Sequence, residues 1–143
     1  MKKVLTIVAL LFSASFVANA QEPAKADNPN APEFKFEKEE YSFGNIKQGE
    51  SVTYEFKFKN SGKDPLIITE AHGSCGCTVP QYPKEPIKKG QEGVIKVTFN
   101  SAGKMGAQDK TVTITSNAKT PTKILHIKGT VDAPAPADAE KKQ

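Results

Sequence analysis

The residues best suited to chemistry are His72, Cys75 and Cys77, with Gly76 between the two thiols. They include both cysteines of the chain and one of its two histidines. Thiols exchange with disulfides, and both thiolates and imidazole bind transition metals. The segment therefore allows three interpretations: a local disulfide, a redox-active pair or a metal site.

A disulfide between Cys75 and Cys77 would close a very short loop. On an extended strand, Cα atoms two residues apart are separated by about 6.5–7 Å, at or beyond the limit for a disulfide. The chain would therefore have to bend at Gly76, which a glycine permits. Closing a three-residue loop removes unfolded-state entropy worth only about 1.6 kcal/mol, so we expect little stability from the bond.

Thiol–disulfide exchange by the same two cysteines is the second interpretation. A small-ring disulfide has a relatively high reduction potential and exchanges readily. Exchange proteins, however, usually place the attacking cysteine at a helix N-terminus, and the sequence Thr78-Val79-Pro80 does not predict a helix. His72 would supply a positive neighbour only if the turn folded it inward.

Metal binding is the third interpretation, because two thiolates favour Cu(I) or Zn(II). Cys75 and Cys77 would be ligands, and His72 would be the third. A four-ligand zinc site would also need His126, which is predicted to lie in the last strand on the face away from the core. No other cofactor is indicated.

The sequence contains no signature of an enzyme. It has no nucleophile elbow, P-loop, His-Glu-x-x-His zinc motif or paired carboxylates, which are the motifs that carry hydrolytic and phosphoryl chemistry. Ser74 lies near His72, but a catalytic serine needs a base held by a third group. We therefore predict a protein without catalytic residues.

The segments around these residues are predicted to be β-strands. From Val52 to Phe58 every second residue is apolar, which is the period of a half-buried strand. Similar patterns occur at 95–99, 112–114 and 125–131, and the apolar run at 66–69 begins another strand. Residues 34–36 and 41–43 indicate one edge strand, broken in the middle. Because no window has a helical period, we predict an all-β, immunoglobulin-like antiparallel sandwich of about seven strands.

The first twenty residues have the composition of a secretory signal peptide. Lys2 and Lys3 precede an uncharged apolar run, and Ala18-Asn19-Ala20 fits a cleavage site. The run is too short to span a bilayer, so we expect no transmembrane segment after cleavage before Gln21. The predicted location is the periplasm or cell envelope, or the extracellular space.

The remaining boundaries follow from composition. Residues 21–33 and 132–143 are rich in proline, alanine and charge, which predicts a flexible leader and a disordered tail around one domain at 34–131. Removal of Lys2 and Lys3 with the signal peptide lowers the formal charge from +4 to +2, and the chain has no arginine. Since arginine forks dominate base and phosphate recognition, we expect no nucleic-acid partner.

Several segments resemble known bacterial domains. The sequences at 41–46, 49–50 and 56–62 resemble the opening of secreted immunoglobulin-like domains related to major sperm protein and Hydin domains. The segments at 74–80, 86–90 and 110–117 resemble a family of unknown function marked by Cys-Gly-Cys-Thr. The resemblance covers 34–131, implies the sandwich fold, and makes Cys75 and Cys77, rather than His72, the core of the feature. It implies no activity.

From these features we expect an exported, non-catalytic binding or scaffolding module with a protein partner in the cell envelope. Such sandwiches bind through loops or by strand addition at a sheet edge. The loop at Tyr82 and Pro83, next to the Cys-Gly-Cys turn, is the predicted contact. The alternative is a small copper- or zinc-binding protein, or a thiol-exchange protein, that uses Cys75 and Cys77.

Overall fold

A computed structural model describes residues 28–134. The predicted signal peptide, residues 21–27 of the predicted leader and residues 135–143 of the predicted tail lie outside this range. The described chain contains eight strands: β1 (Phe34–Phe36), β2 (Glu40–Lys47), β3 (Ser51–Asn60), β4 (Ile68–Gly73), β5 (Thr78–Gln81), β6 (Glu92–Asn100), β7 (Gly106–Ser116) and β8 (Thr122–Asp132). Between residues 28 and 134, no helix has the length and hydrophobicity needed to cross a bilayer.

The strands form two four-stranded sheets. Sheet A has the order β1-β3-β6-β5, and sheet B has the order β2-β8-β7-β4. All pairs are antiparallel except β2 and β8, which run parallel. The predicted all-β sandwich is thus confirmed, with eight strands instead of about seven and with one parallel pair.

The core lies between the two sheets, as the alternating apolar residues predict. In β3, Phe56 and Phe58 are buried, while Glu55, Lys57 and Lys59 are exposed. Neighbouring strands contribute fully buried side chains in the same alternating way: Ile95, Val97, Phe99, Val112, Ile114, Leu125 and Ile127. Burial of each such side chain stabilises the fold by about 1.5–3 kcal/mol, so the core does not depend on the cysteines.

The first two strands belong to different sheets. The sequence predicts one broken edge strand, whereas β1 borders sheet A and β2 borders sheet B. Phe34 packs edge-on against Phe58 with a centroid separation of 5.0 Å, and Tyr41 stacks on Tyr54 at 3.8 Å. The charged residues between the strands therefore mark a crossing from one sheet to the other.

Residues that flank the predicted domain at both ends are hydrogen-bonded to it. Residues 28–33, assigned by sequence to a flexible leader, are bonded to the domain: the peptide N–H groups of Lys63 and Asp64 donate to Asn30 at 3.1 and 2.9 Å. Asp132, assigned to the tail, ends β8 and accepts a bond from Gln48 N at 3.0 Å. These residues satisfy peptide groups of the domain, a role that composition does not reveal.

Candidate functional site

The Cys-Gly-Cys segment forms the link between β4 and β5. It therefore carries the chain from an edge of sheet B to an edge of sheet A. In the structure Cys75 and Cys77 are joined by a disulfide, and their Cα atoms are 5.2 Å apart. This separation lies inside the usual disulfide range because the chain is bent rather than extended.

Hydrogen bonds fix this turn on both sides of the disulfide. Thr78 N donates to Cys75 O at 3.1 Å, which closes a four-residue turn, and Asn100 N donates to Cys77 O at 2.9 Å. On the β4 side, Ser74 N donates to Thr111 O at 2.8 Å, and Ser74 Oγ accepts from Thr111 N at 3.2 Å. The hydroxyl of Ser74 thus continues the β4–β7 ladder.

The glycine on which the turn depends is Gly73. The chain bends at Gly76, as the sequence suggests, and does so without a positive φ at this residue. A Cβ atom added at Gly76 would have nothing within 4 Å, whereas one at Gly73 would overlap the carbonyl oxygen of Thr78 and lie 2.8 Å from its Cβ. The close approach of β4 to β5 therefore requires Gly73.

The two sulfurs lie at the boundary of the core. Both cysteines are half-buried, and Cys77 packs against the hydrophobic cluster. The hydroxyl of Thr78 lies 3.6 Å from Cys75 Sγ and 3.8 Å from Cys77 Sγ, within range of a hydrogen bond to sulfur. Thr78 itself is only 3% exposed, so one buried hydroxyl lies within hydrogen-bonding distance of both sulfurs.

The two histidines lie on the outer face of sheet B, away from the disulfide bond. His72 is exposed, with its Nδ1 atom 3.6 Å from Glu70 Oε1, and His126 Nδ1 lies 2.9 Å from Asp109 Oδ1. Within residues 28–134, no three His, Cys, Asp or Glu side chains form a group that could hold a metal. Copper or zinc binding by Cys75, Cys77 and His72 stays a prediction, and it would require the reduced thiols.

The Tyr82 loop, which the sequence suggests as a contact surface, makes internal contacts. The hydroxyl of Tyr82 donates to Thr69 O at 3.3 Å, and Lys84 Nζ lies 3.6 Å above the centre of its ring. The tyrosine therefore covers part of the edge of β4, and its polar and aromatic groups already have partners.

An unpaired sheet edge, which the sequence analysis missed, lies on the opposite side of the sandwich. β1 pairs only with the last three residues of β3, and its last bond there runs from Glu37 N to Lys57 O at 3.1 Å. Peptide groups alternate in direction along an antiparallel ladder. The peptide groups of Thr53 and Glu55 therefore point to the same side of β3 as Lys57 O. β1 does not extend that far, so no described residue pairs with them.

The other edges have features that disfavour pairing. Pro80, in β5, lacks an N–H on the side away from β6, a typical device of protected edges. The register of β2 shifts between Ser42 and Gly44, and such a bulge interrupts an edge. β4 is covered at Thr69 by Tyr82. The first half of the β3 edge has none of these three features in the described domain.

A charged network attaches β2 to sheet B near this open edge. Lys128 Nζ lies 2.7 Å from Glu40 Oε2 and 3.9 Å from Asp109 Oδ2. The hydrogen bond to Glu40 raises the pKa of Lys128 above its usual 10.5; partial desolvation opposes this shift, and the charges of Glu40 and Asp109 add to it. The network therefore favours the charged ammonium.

The fold defines an immunoglobulin-like, PapD-like β-sandwich domain. The chain belongs to the family described as "Protein of unknown function (DUF1573)", which matches residues 34–131. This match confirms the resemblance found in the sequence. The comparison with curated proteins gives no match.

Solved structures share the architecture at low sequence identity. A protein of unknown function from Porphyromonas gingivalis W83 has a TM-score of 0.63 and 14% identity over 73% of this chain and 50% of that protein. PapD-like domain 7 of human CEP192 has a TM-score of 0.56 and 9% identity over 94% of this chain and all of that domain.

The sandwich also occurs within an enzyme. The secreted serine protease VesC from Vibrio cholerae has a TM-score of 0.53 and 12% identity, over 71% of this chain and 23% of the protease. This chain thus spans half of the Porphyromonas protein and less than a quarter of the protease. At such identities the likeness shows the fold alone.

Proposed function

We propose that the protein is an exported, non-catalytic binding module of the periplasm or cell envelope. The observation that carries this proposal is the open half of the β3 edge. The partner that we propose for this edge is a protein that presents an extended segment. Such a segment would satisfy the unpaired peptide groups by joining the sheet as a further strand. The immunoglobulin-like fold, which commonly hosts binding sites, is compatible with this role.

The edge offers both backbone bonds and side-chain contacts. The peptide groups of Thr53 and Glu55 supply the donors and acceptors of a new ladder. On the inner side, the stacked rings of Tyr41 and Tyr54 are half-buried and border the gap left by β1. Aromatic surface of this kind supports packing of an apolar residue, so the preferred segment carries one apolar side chain directed inward.

Photocrosslinking in the producing cell tests this binding site. A photoreactive amino acid at position 55 should attach to one defined envelope protein, whereas the same group at Thr113, on central strand β7, should not. Thr53→Pro should abolish the product at position 55, because proline removes an edge N–H. Equal crosslinking from both positions, or a product that persists in Thr53→Pro, would contradict binding at this edge.

Export has its own support and its own test. The signal-like sequence at 1–20 and the disulfide favour an oxidising compartment. Mass spectrometry of the protein from its native host should find an N-terminus at Gln21 in the envelope or extracellular fraction. A retained N-terminal segment in the cytosolic fraction would contradict export without affecting the edge proposal.

A further inference from the structure

We propose that the Cys75–Cys77 disulfide is an exchangeable bond that oxidises a dithiol. This inference concerns the β4–β5 side of the domain and is independent of binding at β3. It goes beyond a structural clamp because three features of the turn favour exchange: the bond is dispensable for the fold, it is accessible, and a buried hydroxyl lies against its sulfurs.

The turn is held in place without the disulfide. The Thr78–Cys75 turn bond, the Asn100–Cys77 bond and the paired bonds of Ser74 fix the segment on both sides. A covalent link between residues two apart adds little, since its entropic contribution is only about 1.6 kcal/mol. The bond can therefore open while the domain remains folded, which is what exchange by the folded protein requires.

The bond is also accessible from one side. Cys77 packs against the core, whereas Cys75 is half-buried outside the hydrophobic cluster. Gly76 has no side chain, and the space where one would begin is empty to 4 Å. Since thiolate attack proceeds along the S–S axis, an incoming thiolate reaches Cys75 Sγ, and Cys77 Sγ is the departing sulfur.

Thr78 stabilises the sulfur that departs. Its hydroxyl lies 3.6 Å from Cys75 Sγ and 3.8 Å from Cys77 Sγ. When the disulfide breaks, the single proton of this hydroxyl is donated to the anionic Cys77 Sγ, because a hydrogen bond to a developing anion is stronger than one to a neutral atom. Because Thr78 is 3% exposed, water competes little for this hydroxyl. Thr78 contacts both reacting sulfurs and therefore takes part directly in the proposed exchange.

The exchange balances as a two-electron step. A thiolate of the dithiol attacks Cys75 Sγ, the S–S bond breaks, and its electron pair leaves on Cys77 Sγ, which takes a proton from water. The second thiolate of the dithiol then attacks the dithiol sulfur that is bonded to Cys75 Sγ. This releases Cys75 as a thiolate, which is also protonated. The chain ends with two thiols, and the dithiol becomes a disulfide.

Dithiothreitol serves as the dithiol in the test on the purified oxidised protein. Reduction, followed by alkylation and intact mass, should be complete under native conditions without loss of the β-sheet circular dichroism spectrum. Thr78→Val should slow the reaction by about tenfold, the equivalent of one charge-assisted hydrogen bond, and Thr78→Ser, which keeps the hydroxyl, should restore the rate.

Single-cysteine variants test the direction of attack. The Cys77→Ser variant, which retains Cys75, should react with 5,5′-dithiobis(2-nitrobenzoate) at least about tenfold faster than Cys75→Ser, because Cys77 packs against the core. Equal rates would overturn the assigned direction.

If the disulfide resists dithiothreitol until the protein unfolds, or if the protein unfolds once it is reduced, the disulfide is a structural clamp. Either result would overturn the proposal. This test uses only the natural chain, so it is valid even if a variant fails to fold. Thr53→Pro should leave the rate of reduction unchanged, so failure at the β3 edge and failure at the disulfide are distinguishable.

Discussion

The chain crosses between its two sheets several times, and two of these crossings, which lie at opposite edges of the sandwich, differ in how their peptide groups are paired. On one side, β4 passes to β5 through a turn held by hydrogen bonds and a disulfide, and Pro80 and Tyr82 protect the adjoining edges. On the other side, β1 passes to β2 after only three paired residues, so the first half of β3 is paired with β6 on one edge and unpaired on the other.

The difference shows how the two sides are suited to different chemistry. A crossing whose peptide groups are satisfied presents only its side chains, here two sulfurs and a hydroxyl. A crossing that leaves peptide groups unpaired presents a template for another strand. This contrast underlies the proposals of sulfur exchange for the first side and of recognition of an extended segment for the second.

The largest effect is expected at the crowded crossing. Gly73→Ala places a methyl group against the Thr78 carbonyl and should lower the free energy of unfolding by more than about 3 kcal/mol, because neither backbone segment can yield easily. The measurement is urea unfolding followed by circular dichroism. Gly76→Ala, in open space, is the matched control and should lie between no change and a gain of about 1 kcal/mol.

A smaller loss is expected where β3 meets the start of β1. The Asn60 side chain is 1% exposed and bonds to four peptide groups: those of Glu33, Gly62, Asp64 and Ile87. Asn60→Ala should cost about 2–3 kcal/mol, since buried partners lose their bonds. Asn117→Ala, which removes two bonds of an exposed asparagine, should cost about 1 kcal/mol; equal losses in urea unfolding would contradict the assigned role.

Proline substitutions probe the open edge directly. Thr53→Pro removes an N–H that has no described partner, and it should cost only about 1 kcal/mol. Val52→Pro removes an N–H directed at β6 and should cost about 3 kcal/mol or more. Thermal unfolding of both variants gives the comparison. If Thr53→Pro destabilised as much as Val52→Pro, the edge would be occupied within the protein.

The smallest effect concerns the attachment of β2. Because the folded-state pKa of Lys128 lies above 10.5, its contribution to stability is complete below the unfolded-state pKa and is lost as the pH rises through the folded-state value. Lys128→Met should therefore lose less stability than the natural chain between about pH 9 and about pH 12. Urea unfolding of both proteins across this pH range is the measurement, and an equal loss of stability in the two would contradict the role of Lys128.

Much of the fold could be predicted because burial follows the alternation of apolar residues. The cores of β3, β6, β7 and β8 lie where that alternation places them. The short strand β5 could not be found this way, since Val79 faces solvent and Pro80 disfavours a strand. The separation of β1 from β2 and their assignment to two sheets depend on long-range pairing, which no local pattern encodes.

The candidate site was only partly predictable for a similar reason. The spacing of Cys75 and Cys77 indicated that this segment carries the candidate site, with a disulfide as one of three interpretations. The contact of Gly73 with Thr78, and of the Thr78 hydroxyl with both sulfurs, arises from two strands that meet at a corner. The open edge of β3 was missed because it depends on where β1 stops pairing.

The short span of the disulfide has a consequence for the biogenesis of the protein. With two cysteines the chain has a single intramolecular pairing, so no isomerase is needed to correct it. Since that pairing joins no distant strands, the order of oxidation and folding does not matter. The sandwich can assemble on its core first and acquire the bond afterwards, from whatever oxidant its compartment supplies.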